Sequence, residues 1–150
     1  MPRPTRAHGR PGTEVIPTGW AADHRPVLAG TRRGDLALRK PGTTQAWSDA
    51  DQAMVSIPLP VHFTGTCRVQ AIDTQARERV VAGDPETTVD YLITTDINPA
   101  DTPDTSPAQG DLATVTDTGD PLLDGRVFRV TRVGTGTELF ERYLFCTLNG

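Results

Sequence analysis

The sequence predicts an all-β fold, a small six- to seven-stranded β-barrel or sandwich with long loops and an extended N-terminal arm. Three observations lead there. Glycine and proline number 14 and 13 in 150 residues, so the chain is interrupted at intervals too short for long helices. Where apolar residues recur they alternate with polar ones, the period of a strand with one buried face. No run of adequate length shows the 3.6-residue period of an amphipathic helix. The length suits one domain, and we divide it into an arm over residues 1–33 and a barrel domain over 34–149.

From Met1 to about Arg33 the chain is rich in Pro, Arg and Gly and reads as extended, with Trp20, Val27 and Leu28 as its expected anchors. The first strand is Asp35 to Arg39, ended by Lys40-Pro41-Gly42. Residues 41–60 close with Pro58 and Pro60 and read as a long connection around one packed aromatic, Trp47. Val61 to Ile72 is a second strand. Thr66, Arg68 and Gln70 fall on one face, Cys67, Val69 and Ala71 on the other, and Gly65 is a candidate bulge. Thr87 to Thr95, β-branched and aromatic, is a third. Between them, residues 73–86 are polar and end in Gly83-Asp84-Pro85, a loop signal.

Pro99, Pro103 and Pro107 among Asp, Thr and Ser make residues 98–110 an exposed loop. Asp111 to Thr116 and Arg126 to Val133 both alternate, and Asp124-Gly125 between them is a turn signal, so the two form a hairpin. Glu138 to Leu148 closes the series after Gly134-Thr135-Gly136-Thr137.

Charge divides the chain. Residues 1–40 hold eight basic side chains against Glu14, Asp23 and Asp35, a surplus of five; the remainder holds seven against sixteen, a deficit of nine. An acidic body argues against wrapping nucleic acid with the folded surface, whereas the basic arm can touch phosphates or an acidic partner. Cys67 and Cys146 lie in apolar strand runs and are expected as buried thiols. No stretch approaches the ~20 apolar residues of a membrane span, and no charged-then-apolar leader opens the sequence, so a soluble protein made in the cytoplasm is expected.

Catalytic and metal patterns do not assemble. Asp117-Thr118-Gly119 resembles an aspartic-protease signature, but that chemistry needs two aspartates sharing a proton in a buried site. Asp120-Pro121 follows at once, and turn chemistry accounts for the residues. His8, His24 and His62 lack the recurrent spacing of a zinc site. His62 and Cys67, five apart on one strand, diverge unless a bulge at Gly65 resets the alternation. Leu139 replaces the third glycine of a dinucleotide fingerprint at Gly134 and Gly136. Asp96, Asp101 and Asp104 lack calcium-loop spacing. Phe128, Phe140 and Phe145 read as packing, not as a base-stacking face. The expectation is no catalytic residue, no cofactor and no metal.

One order of elements stands out: a short strand at Asp35 to Arg39, Trp47, a strand ending Cys67-Arg68-Val69-Gln70, and a polar excursion. There follow a strand at Asp90 to Thr94, Gly110-Asp111 opening the next, Asp124-Gly125-Arg126-Val127-Phe128-Arg129-Val130, and a closing strand. Over about residues 30–149 this order resembles the head-to-tail stopper, or head-completion, family of long-tailed bacteriophages. It is most similar to the versions from high-GC actinobacterial hosts, which 14 arginines against one lysine suit.

The resemblance implies a structural protein of the virion neck, assembled in the host cytoplasm into a homo-oligomeric ring, six-fold rather than twelve-fold. The portal adaptor would lie above it, a tail terminator or tail tube protein below it, and packaged DNA in its channel without sequence specificity. It places the channel-facing gate between the second and third strands, on Asp73, Gln75, Arg77, Glu78 and Arg79. The basic arm, with Arg3, Arg6, Arg10, Trp20, Arg25, Arg32 and Arg33, is expected to contact an acidic neighbour or the adaptor. A tail-terminator ring protein and a cytoplasmic β-barrel binding module unrelated to phages are the alternatives.

Overall fold

The computed structural model describes residues 19–72, 90–98, 100–135 and 141–149. These form one helix, α1 (Trp20–Ala29), and eight strands: β1 (Gly34–Arg39), β2 (Thr43–Ser48), β3 (Ala53–Pro58), β4 (Val61–Ala71), β5 (Tyr91–Asp96), β6 (Leu112–Thr116), β7 (Val127–Gly134) and β8 (Glu141–Leu148). Six of the strands close into an antiparallel barrel in the order β1-β4-β5-β8-β7-β6, with β6 returning to β1. The remaining two, β2 and β3, form a separate two-stranded sheet. Of the barrel or sandwich expected from alternation, the barrel is the architecture.

Closure follows from that alternation. Leu36, Leu38, Cys67, Ile93, Ala113, Val115, Phe128, Val130, Leu144 and Cys146 point inward from six strands and form one buried core. Phe128 is its largest fully buried member and meets Tyr91 edge-on at 5.0 Å between ring centres. A barrel this narrow is filled by its own side chains and has no free sheet edge. Burial pushes both the Cys67 and Cys146 thiols up to about 12, with Asp35 adding to the shift at Cys67. Neither is an effective nucleophile near neutral pH, because the thiolate is the reactive form.

Two irregularities shape the outer wall. The break in β1–β4 pairing falls between Leu38 and Arg39, whose partners Phe63 and Val61 leave His62 as the extra residue. Gly65 was the expected bulge but keeps its register opposite Leu36. Its side chain is missing for a different reason: a Cβ there would lie 3.2 Å from Thr95 Oγ1 and 3.4 Å from the Phe63 ring. The second irregularity is in β7, where Thr131 is skipped between Val130↔Cys146 and Arg132↔Phe145, and its Oγ1 donates to the Phe145 carbonyl at 2.8 Å.

Other sequence expectations change as well. Residues 20–29 are helical rather than extended, despite Pro26 inside the helix. Val27 is 70% exposed and anchors nothing, while Trp20 and Leu28 are half-buried. The long connection over 41–60 is the β2–β3 hairpin, and its Trp47 is 60% exposed instead of packed. In the proline-rich loop, Thr102 to Thr105 are exposed as expected, but the exit buries Pro107 and Asp111.

Candidate interaction surfaces

Arg32 was expected on an exposed arm and is buried at the barrel wall. Its Nη1 donates to Glu141 Oε1 at 2.6 Å, and its Nη2 lies 3.6 Å from Asp96. Arg68 lies 3.7 Å from the other Glu141 oxygen and donates to Thr31 Oγ1 at 2.9 Å. Strand alternation aims Arg68, Thr94 and Glu141 outward, yet Thr94 and Glu141 are buried, and the segment after α1 reaches Glu141 through Arg32 and Arg68 through Thr31. This network ties the N-terminal segment to β4, β5 and β8. Arg32 is thereby removed from the neighbour-contact set.

Of the other residues expected in that set, Arg25 is exposed and lines an open cleft of about 450 Å³ with His62, Asp96 and Asp101. Arg33 is exposed, and the Trp20 ring stacks obliquely on His24 with centres 4.3 Å apart. Arg3, Arg6 and Arg10 lie outside the described residues, as do the gate residues Asp73, Gln75, Arg77, Glu78 and Arg79. The stem of that expected gate is described: Ile72 N–H donates to the Asp90 carbonyl at 2.9 Å.

A second buried charge sits at the opening of β6. Asp111 is fully buried and accepts from Lys40 Nζ at 2.9 Å and from the Ala108 N–H at 2.8 Å. His62 Nε2 lies 3.0 Å from its other side, off line for a directed hydrogen bond. Gly110, with φ +90, makes the turn immediately before Asp111. Lys40 follows β1 and His62 is the second residue of β4, so Asp111 binds one stem of the β2–β3 hairpin and faces the other. The sequence marked Gly110-Asp111 only as the start of a strand. The carboxylate's side-chain donor, Lys40, is 71 positions away, a pairing that leaves no local signal.

The hairpin itself projects. Trp47 faces Met54 across it, Ala46 faces Val55 and Thr44 faces Ile57. Trp47, Met54 and Ile57 are 60%, 58% and 40% exposed. Its tip is held by Trp47 Nε1 donating to Asp49 Oδ1 and Ser48 Oγ donating to Asp51 Oδ2, both at 2.9 Å, with Gln52 in the left-handed region at φ 49. A two-stranded ribbon is at best marginally stable alone in water, and exposed apolar pairs of this kind mark contact sites.

Asp117-Thr118-Gly119 forms an exposed turn. Thr118 donates from N–H and Oγ1 to Asp124 Oδ1 at 2.8 and 2.7 Å, and these bonds hold the Asp124 carboxyl below its usual range. Among the described residues no group of three or more His, Cys, Asp or Glu could hold a metal ion. None of the described helices is long and apolar enough to cross a membrane. Residues 24–147 match a family model described as a family of unknown function, DUF6093. No curated protein matches the chain.

Proposed function

The chain belongs to the DUF6093 family, and we propose that it is a structural head-to-tail connector of a long-tailed phage, a stopper-type subunit that assembles into a ring between the portal adaptor and the tail. The observation that carries this reading is the β2–β3 hairpin. A closed barrel has no sheet edge to lend, so a subunit built on one must associate through what it projects, and this one projects an apolar ribbon fixed at its base by Asp111. Two further features support it. The order of strands and turns resembles that of the stopper family, and the acidic body suits a channel through which DNA slides without adhering. The connection that the resemblance assigns to the gate follows the end of β4, whereas the hairpin precedes its start.

Removing the gene from an inducible prophage that carries it tests the reading. The expected result is filled heads that lose their DNA and acquire no tails, with recovery when the gene is supplied in trans. Normal tailed particles without the gene would overturn it.

A further inference from the structure

The unpartnered hairpin needs a receiving surface, and the same chain offers one. Because Thr131 is the extra residue of β7, Arg129 and Arg132 both point outward although they are three apart, where unbroken alternation would oppose them. Both are exposed. Arg132 lies over the Phe145 ring at 4.4 Å from its centre, and Arg129 has Leu112 and Thr147 beside it in register. Among the described residues neither arginine has an ion-pair partner. The face is therefore cationic with apolar ground between the charges.

The hairpin is its complement. Residues 41–60 contain Asp49 and Asp51 and no basic side chain, and both acids stand at the tip, next to the Trp47–Met54 pair. Position completes the match. In the cycle β1-β4-β5-β8-β7-β6, the pair β1–β4 that carries the hairpin is diametrically opposite the pair β7–β8 that carries the arginines. A projection on one side and its receptor on the other make a head-to-tail contact, the heterologous kind that closes into a ring when the rotation permits.

We propose that the hairpin of one subunit docks on the β7–β8 face of a second copy of this chain, with Asp49 and Asp51 meeting Arg129 and Arg132. In this contact Trp47 lies on guanidinium and Met54 lies on Phe145, contacts that cation–π and sulfur–aromatic attraction favour. The inference rests on the ring reading and specifies its subunit contact.

Cross-linking tests it. Met54→Cys and Thr147→Cys place one thiol beside the hairpin tip and one beside Arg129, while the native Cys67 and Cys146 are buried and unreactive. The full-length double variant, concentrated and treated with a short bismaleimide, is expected to give a ladder of dimer, trimer and higher species. An equal mixture of the two single variants should stop at dimer, and each single variant alone should stay monomeric. Arg129→Glu with Arg132→Glu should cut the yield about tenfold or more, and Asp49→Arg with Asp51→Arg in the same chain should restore it.

Self-linking of either single variant would replace the head-to-tail contact with a two-fold one. Rings visible by electron microscopy without the ladder would overturn the hairpin contact and leave the connector reading standing. Absence of rings on the portal adaptor as well as of the ladder would overturn both.

Discussion

Replacing Arg32 with Met is expected to destabilise the barrel by about 3–5 kcal/mol, although the substitution lies outside the hydrophobic core. Arg32 and Glu141 are 5% and 3% exposed, and their 2.6 Å bond is the shortest contact of the network on that wall. Removing one partner leaves a carboxylate out of water with only Arg68 at 3.7 Å to balance it, and an uncompensated buried charge costs that much. Glu141→Leu should cost a similar amount for the converse reason.

The double replacement, Arg32→Met with Glu141→Leu, should recover most of the loss, because apolar residues of similar volume replace a buried ion pair at little or no cost. Urea unfolding of the three variants and the parent, read as a double-mutant cycle, measures this. Losses below about 1 kcal/mol for both single variants would mean that the pair behaves like an exposed one.

The second large effect is expected at Asp111. Asp111→Ala removes the acceptor for Lys40 and the Ala108 N–H and the anion facing His62. Hydrogen bonds to a charged group contribute about 1.5–3 kcal/mol each, and a buried donor left unmatched adds its own penalty. Lys40 is 44% exposed and regains water, so the total should be about 3 kcal/mol. The consequence for function is local, because Lys40 and His62 are the stems of the hairpin. Amide exchange across residues 43–58 should accelerate in Asp111→Ala by more than it does in the core strands, and copy-to-copy cross-linking should fall with it. Unchanged exchange in the hairpin would mean that Asp111 stabilises the barrel without positioning the ribbon.

Why these sites escaped the sequence is physical. Each barrel strand buries one face, and a half-buried strand must alternate. Leu36 and Leu38, Phe128 and Val130, and Leu144 and Cys146 therefore announced themselves, as did the Asp124-Gly125 turn with Gly125 at φ +77. The hairpin buries neither face, so nothing constrains its pattern. Thr43 to Ser48 read as loop, and Pro58 read as a breaker although it ends an edge strand, where a missing N–H costs nothing.

Trp47 reads as the one packed aromatic of a long connection. A residue that awaits a partner looks the same in sequence as one that packs at home. Arg32 was assigned to the arm by its neighbours in sequence, while its partner Glu141 is 109 positions away. The outward pairing of Arg129 and Arg132 depends on one skipped residue, Thr131, which periodicity cannot locate. The helix was hidden by Pro26 and by an outer face left to solvent, so it carries no apolar stripe.

If this barrel is one subunit of a ring at the head-to-tail junction, a reconstruction of the neck of the particle encoded around its gene will contain it. The expected result is one layer of closed six-stranded barrels between the portal adaptor and the tail, each with its β2–β3 hairpin lying across the β7–β8 face of the next. A neck whose layers are all accounted for by other chains, with no density for this barrel, would contradict it.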